Sequence, residues 1–323
     1  MPTVARVSQR ATLPATCPHP RAATGSACLA SGSERSTATG TALAVTSVAS
    51  VQFGAALATT LFTLVGPVGT VSLRFLGAAV VLVLATRPWR ARWTARDART
   101  VVAFGAVFVT MNLSLYVAIS RLPLATAITL EFLGPLGVAI VTATSRAQRG
   151  WALPAAAGVA LIGGSLHAHD GVGVLAALGA ALAWASYILV SRRMGASDHG
   201  LSGLALATVL GAVVTVPLGA ATAGGDLLQP RTLALGLLVG VMSSAIPYSL
   251  DLLALRRLGT ATFGVLTSLN PAVAALAGLV VLGQALSRPQ LLGLACVMAA
   301  SASVMGSRDS AGVTPDREPG VTA

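Results

Sequence analysis

Between residues 41 and 305 the chain is a succession of unbroken apolar runs, separated by short breaks that carry Arg, Gly or Pro. Each run is about the 20 residues that a helix needs to cross the hydrocarbon core of a bilayer. A backbone in lipid must satisfy its own N–H and C=O groups, so only helices and closed β-barrels can span. The runs are continuous and rich in Ala, Leu and Gly, without the period-2 alternation of barrel strands. The expected fold class is therefore an all-α polytopic membrane protein. Ten spans are expected: 41–65, 68–86, 100–119, 122–144, 151–166, 172–190, 201–221, 232–255, 261–282 and 289–305. A chain of 323 residues that is 54% hydrophobic and 10% charged agrees with this reading and not with a soluble domain.

Charge gives the orientation. All 21 basic residues are Arg. Placed in the breaks between spans, 17 fall on one side and three, Arg121, Arg231 and Arg288, on the other, with Arg74 left inside the second span. The positive-inside rule then puts both termini in the cytoplasm of an inner-membrane protein. Nucleic acid is not an expected partner of the net charge of +11, because the Arg residues are scattered over short loops with no stacking aromatics beside them. Without Lys a P-loop of the usual form cannot be built, so transport would run on an ion gradient or by facilitated flow. Cys17, Cys28 and Cys296 form no paired motif, and His19, His167, His169 and His199 have no metal-site framework around them. No metal and no cofactor are expected. The expected partners are the lipid bilayer and a small-molecule substrate; oligomeric state stays open, a homodimer included.

Residues 1–39, rich in Ser, Thr, Ala, Arg and Pro, are expected to form a disordered cytoplasmic extension, or to reflect a start codon placed too early. The polar tail 307–323 is expected to be disordered too. An internal repeat lies between them: ¹¹⁸AISRLP resembles ²⁵⁴ALRRLG, and the same offset of 136 carries Pro135 onto Pro271. Two halves, 40–167 and 171–306, follow. Five helices per half is an odd number, so the second half enters from the opposite side. Inverted-topology repeats of this kind exchange outward-open and inward-open shapes around a midplane site.

Three ionisable residues fall well within spans: Arg74, Glu131 and Asp251. A charge at a helix centre costs roughly 2.5–3.5 kcal/mol, so each should face a cavity or a partner. Glu131 stands four residues before Pro135, whose missing N–H frees the Glu131 carbonyl. One position then offers a carboxylate and a free backbone oxygen, a cradle for an ammonium group or a proton. Pro271 frees the carbonyl of Thr267 in the same way, beside Asn270, and Pro247 frees that of Ser243. Asp251, near the cytoplasmic end of its helix, reads as a pathway carboxylate, as a group that reaches the headgroup region or as a partner of Arg256. Arg74 either snorkels or meets a carboxylate. Asn112, Tyr116 and Tyr248 are further pathway candidates, while Gln52, Ser186, Tyr187, Ser243 and Ser244 read as interhelical glue. Trp89, Trp93 and Trp151 flank membrane boundaries as anchors, and Gly236 with Gly240 permits close helix packing.

The stretch 116–140, YVAISRLPLATAITLEFLGPLGVAI, resembles the first-repeat signature of EamA-type transporters in the drug/metabolite transporter superfamily. The stretch 246–300 is similar to the second repeat of the threonine/homoserine exporter branch, and SVQFGAALATTLF and ALAWASYILVSRR fit its first and sixth helices. The resemblance covers roughly residues 48–305. It implies ten helices and export of small amino acids or related metabolites, and it carries Glu131 and Pro135 onto a Glu-Phe-x-Gly-Pro pattern and Pro247, Tyr248 and Ser249 onto a Pro-Tyr-Ser element. Departures from the pattern are Asp251, Asn270 and Gln284, each where Glu is usual. The expected function is proton-coupled export by alternating access. Efflux of drugs or other metabolites by the same fold is the alternative, and an intramembrane enzyme or a non-transporting scaffold stands further off, because three scattered charges supply no convergent catalytic cluster.

Overall fold

The computed structural model describes residues 23–143, 145–164, 171–195, 200–258 and 260–310. Described residues form helices and the turns between them, and nine helices among them are long and apolar enough to cross a membrane. The chain is thus an all-α polytopic membrane protein, as the apolar runs require. Helix α1 (Ala23–Thr59) begins inside the stretch expected to be an extension, and its apolar span is Thr37–Thr59. Helix α2 (Phe62–Thr86) follows a one-turn break and is interrupted at Gly66, whose φ of 66° a side chain would resist. Pro67 restarts the helix there, needing no N–H partner in a first turn. Helix α3 (Ala95–Ile119) opens on a capping box in which the Thr94 side chain accepts from the Asp97 N–H and Asp97 from the Thr94 N–H.

The prolines decide what happens mid-membrane. The fourth span is two pieces, α4 (Leu124–Glu131) and α5 (Leu133–Val141), joined through a tight turn at Phe132. The ninth is also two, α12 (Thr260–Thr267) and α13 (Asn270–Leu282), so Glu131 and Thr267, 136 residues apart, each end a half-helix. The eighth, α10 (Pro230–Gly240) and α11 (Ile246–Leu255), is joined by a widened π turn over Val241–Ala245, in which Ile246 N–H reaches the carbonyl five residues back. Pro247 causes it, since Ser243 has no N–H to receive.

One expected span is described only in part. Residues 151–166 give α7 (Ala152–Gly164), preceded by the short α6 (Arg146–Gly150). Thirteen residues rise about 20 Å, less than the roughly 30 Å of a bilayer core, and residues 165–170 lie outside the described ones. The remaining helices are α8 (Gly171–Gly195), α9 (Gly200–Ala223) and α14 (Arg288–Ser310). The last turn of α14 enters the stretch expected to be a disordered tail.

The main core joins α1–α4, α8–α10, α13 and α14. Small residues let these helices approach. Phe75 fits against Gly211 of α9, and Ser72 donates to the Thr215 carbonyl at 2.5 Å. Gly134 brings the broken fourth span against the Ala181 carbonyl of α8. A Cβ on Gly158 or on Gly293 would lie 2.6 or 2.5 Å from the other's carbonyl oxygen, which fixes α7 on α14. Gly158→Leu is therefore expected to lower the thermal midpoint of the detergent-solubilised protein, at an overpacking cost of about 1–3 kcal/mol. Gly137→Leu, at a site with nothing within 4 Å, leaves it unchanged.

Candidate functional site

A close crossing of α2 and α10 positions Arg74. Gly240 sits against the Arg74 carbonyl and Gly77, and a Cβ on Gly77 would meet Leu237 at 3.0 Å. The pair Gly236 and Gly240, read as packing, is that crossing. It puts Arg74 beside the π turn: Nη2 donates to the Ser243 carbonyl at 3.0 Å, Nη1 to the Tyr116 hydroxyl at 3.2 Å and Nε toward Ser244 Oγ at 3.4 Å. The guanidinium also lies 5.5 Å from the centre of the Tyr116 ring. Arg74 is 8% exposed and does not snorkel. The carbonyl that Pro247 frees is thus held by a charged donor.

Glu131 ends α4 at 4% exposure. Arg74 is near enough for its charge to act on Glu131, yet no ion pair closes between them, and no hydrogen bond holds the Glu131 carboxylate among the described residues. Among the described residues, Arg74 is bonded only to neutral oxygens. A buried guanidinium bonded only to neutral groups and a buried carboxyl that does not reach it make the ionised pair costly unless a third party supplies the opposite charges.

Other expected residues divide into two groups. Tyr248 joins the site: its side chain lies beside that of Tyr187, and Asp251 is near enough for its charge to act on both. Asp251 is only partly buried and lies within hydrogen-bonding reach of Ser47, whose hydroxyl is also 3.2 Å from the Pro247 carbonyl. Arg256, the other partner considered for Asp251, forms no ion pair with it among the described residues. Asn112 instead stays with its own helix, donating to the Phe108 carbonyl at 2.8 Å. Pro135 is buried just past the break it creates. The Thr267 carbonyl is not free: Asn270 Nδ2 donates to it at 2.7 Å, and the Thr267 hydroxyl turns back to Gly264.

Rings gather here although aromatics are only 4% of the chain. Phe104 and Phe108 of α3 pack on Tyr187 at 4.8 and 5.9 Å, Phe108 also on Tyr248 at 6.0 Å and on Phe75 at 5.4 Å. Sequence reasoning had no access to this cluster, because its members come from four helices. It also left Gln284 without a role. Gly283 turns left-handed at the end of α13, and Gln284 Oε1 then accepts from the first N–H of α4, Leu124, at 2.9 Å. The half-helix carrying Glu131 is capped from the other half of the chain. Gln284→Ala should cost about 1 kcal/mol, the usual worth of an N-cap, read as a drop of about 2–4 °C in the thermal midpoint; Gln284→Glu keeps the acceptor and the stability.

Cys17, His19, His167, His169 and His199 lie outside the described residues. Trp93 Nε1 donates to the Pro88 carbonyl at 2.9 Å, and Trp89 and Trp151 are exposed, as membrane-boundary anchors would be.

Residues 171–306 match the EamA-like transporter family. The threonine/homoserine exporter RhtA of Salmonella typhimurium (strain SL1344) is 39% identical over 275 residues, 84% of this chain and 90% of that protein. RhtA of Escherichia coli (strain K12) is 39% identical over 263 residues, 80% of this chain and 88% of that protein. A solved crystal structure aligns over 83% of this chain and 97% of its own, with a TM-score of 0.52 and 22% identity, and so shares the fold. A helical membrane architecture and a relative this similar over nine-tenths of its length lead to one assignment: the chain belongs to the EamA-like transporters of the drug/metabolite transporter superfamily.

Proposed function

We propose that the protein is a secondary transporter that exports small zwitterionic amino acids, threonine and homoserine among them, by alternating access. The observation that carries this reading is the separation of Glu131 from Arg74. An α-amino acid brings an ammonium and a carboxylate a few ångströms apart, the complement of an anion and a cation that share an interior but do not touch. Arg74 would receive the carboxylate with its planar fork of donors, and Glu131 the ammonium. Proton antiport then follows from competition, since Glu131 holds either the substrate ammonium or a proton. Loaded with amino acid it passes outward, and loaded with a proton it returns.

The halves 40–167 and 171–306 supply the two inverted repeats, with α7 as the fifth member of the first, and rocking one against the other exposes the site to each side in turn. Both termini are cytoplasmic in this arrangement, in the inner membrane. Tyr248, Tyr187 and Asp251 form the polar path from the site toward the cytoplasmic end of α11. The protein needs no cofactor for this cycle, and its relatives are named as transporters.

A second reading, efflux of organic cations, draws on the ring cluster around Phe108. A buried Arg74 opposes it, because a cationic substrate without a carboxylate leaves the guanidinium uncompensated. The test is competition in everted vesicles. Threonine should block labelled homoserine uptake in the presence of a pH gradient, and an organic cation such as tetraphenylphosphonium should not. The reverse ranking would favour the second reading.

A further inference from the structure

We propose that Gln52 and Asn270 form a hydrogen-bond-accepting subsite for the side-chain hydroxyl of the transported amino acid, a reading that rests on the amino-acid export function above. Three groups stand in a chain whose polarity has one solution. Pro271 leaves the Thr267 carbonyl without an amide partner, and a carbonyl can only accept. Asn270 must therefore turn its Nδ2 to it, at 2.7 Å. That leaves Asn270 Oδ1 as an acceptor, which takes Gln52 Nε2 at 2.7 Å from α1. Flipping either amide would set oxygen against oxygen, so the orientation follows from the network itself. The chain ends at Gln52 Oε1, which has no partner and lies on a side chain only 2% exposed.

This orphan differs from the others in the interior. Thr126, Thr232, Ser243 and Ser301 also have unpaired oxygens, but a hydroxyl rotates and serves as donor or acceptor. Gln52 Oε1 can only receive a proton donor, and among the described residues none reaches it. Its place in the fold points to substrate. Asn270 opens α13, α13 packs on α4, and α4 ends in Glu131. Thr267 is the counterpart of Glu131 136 residues on. The acceptor thus stands at the second of two matching helix breaks, the first of which holds the ammonium partner. With the ammonium on Glu131 and the carboxylate on Arg74, the donor that remains on a hydroxyl-bearing amino acid is its side-chain O–H.

The test uses threonine and valine, which differ by a methyl in place of the hydroxyl. In proteoliposomes of the full chain, labelled threonine counterflow is competed with each. The wild type should prefer threonine roughly 5- to 150-fold, the ratio that corresponds to about 1–3 kcal/mol for a buried acceptor left unpaired. Gln52→Met should bring the two amino acids within about twofold, read as the ratio of their competition constants in the same variant. A variant that keeps the wild-type ratio overturns the subsite. A wild type that carries both equally well overturns it too, with the export function intact, whereas a wild type that moves neither removes both readings. Where Gln52→Met fails to accumulate, thermal protection of the wild type decides: protection by threonine alone supports the subsite, and equal protection by valine refutes it.

Discussion

Glu131→Gln is expected to abolish gradient-driven export while the protein accumulates normally in the membrane. The amide keeps the shape of the side chain and its place at the end of α4, so packing against α8 and α13 is undisturbed. It can neither carry the proton nor make a charge-assisted bond to an ammonium. That bond is worth about 1.5–3 kcal/mol, which alone lowers apparent affinity by roughly 10- to 150-fold, and loss of proton exchange removes the driving force as well. Because no described residue hydrogen-bonds the buried Glu131 carboxyl, and the amide cannot ionise there, thermal stability should hold or rise. Loss of activity with gain of stability is the signature of a functional carboxylate. A fall in both would instead mark Glu131 as structural, and unchanged transport would remove Glu131 from the transport pathway.

Arg74 gives the second large effect, with the opposite stability sign. In Arg74→Ala the Ser243 carbonyl, the Tyr116 hydroxyl and Ser244 lose their donor together. Each buried group left unsatisfied costs about 1–3 kcal/mol. The thermal midpoint should fall and transport should cease, a result that does not separate the two roles. Arg74→Lys separates them. A lysine retains the charge and one or two of the contacts but lacks the bidentate fork, so the fold is expected to survive while KM for threonine rises at least about tenfold. The analogue 1-amino-2-propanol, threonine without its carboxylate, makes the comparison sharp. The wild type should discriminate against it strongly, and Arg74→Lys should do so much less.

Sequence was informative wherever the determinant was local. The apolar runs set the class, and Pro135 and Pro271 located the two mid-membrane breaks to within a residue or two, because a missing N–H acts on the carbonyl four residues back whatever the surroundings. The offset of 136 pairs Glu131 with Thr267, and each ends a half-helix. Contacts between distant segments were another matter. Both carbonyls freed at Ser243 and Thr267 read as open from sequence, and both are occupied, one by Arg74, 169 residues away, and the other by Asn270. Gln52 read as glue because its bond to Asn270 spans 218 residues, and only the three-dimensional arrangement shows that one of its oxygens has nothing to hold.

The most direct measurement of the account is threonine flux in proteoliposomes of the purified protein under an imposed pH gradient, with wild type and Glu131→Gln side by side. Threonine movement against its own gradient, driven by protons moving the other way and lost in Glu131→Gln, is the predicted result. Wild-type vesicles that move no threonine or homoserine under either polarity of the gradient would contradict it.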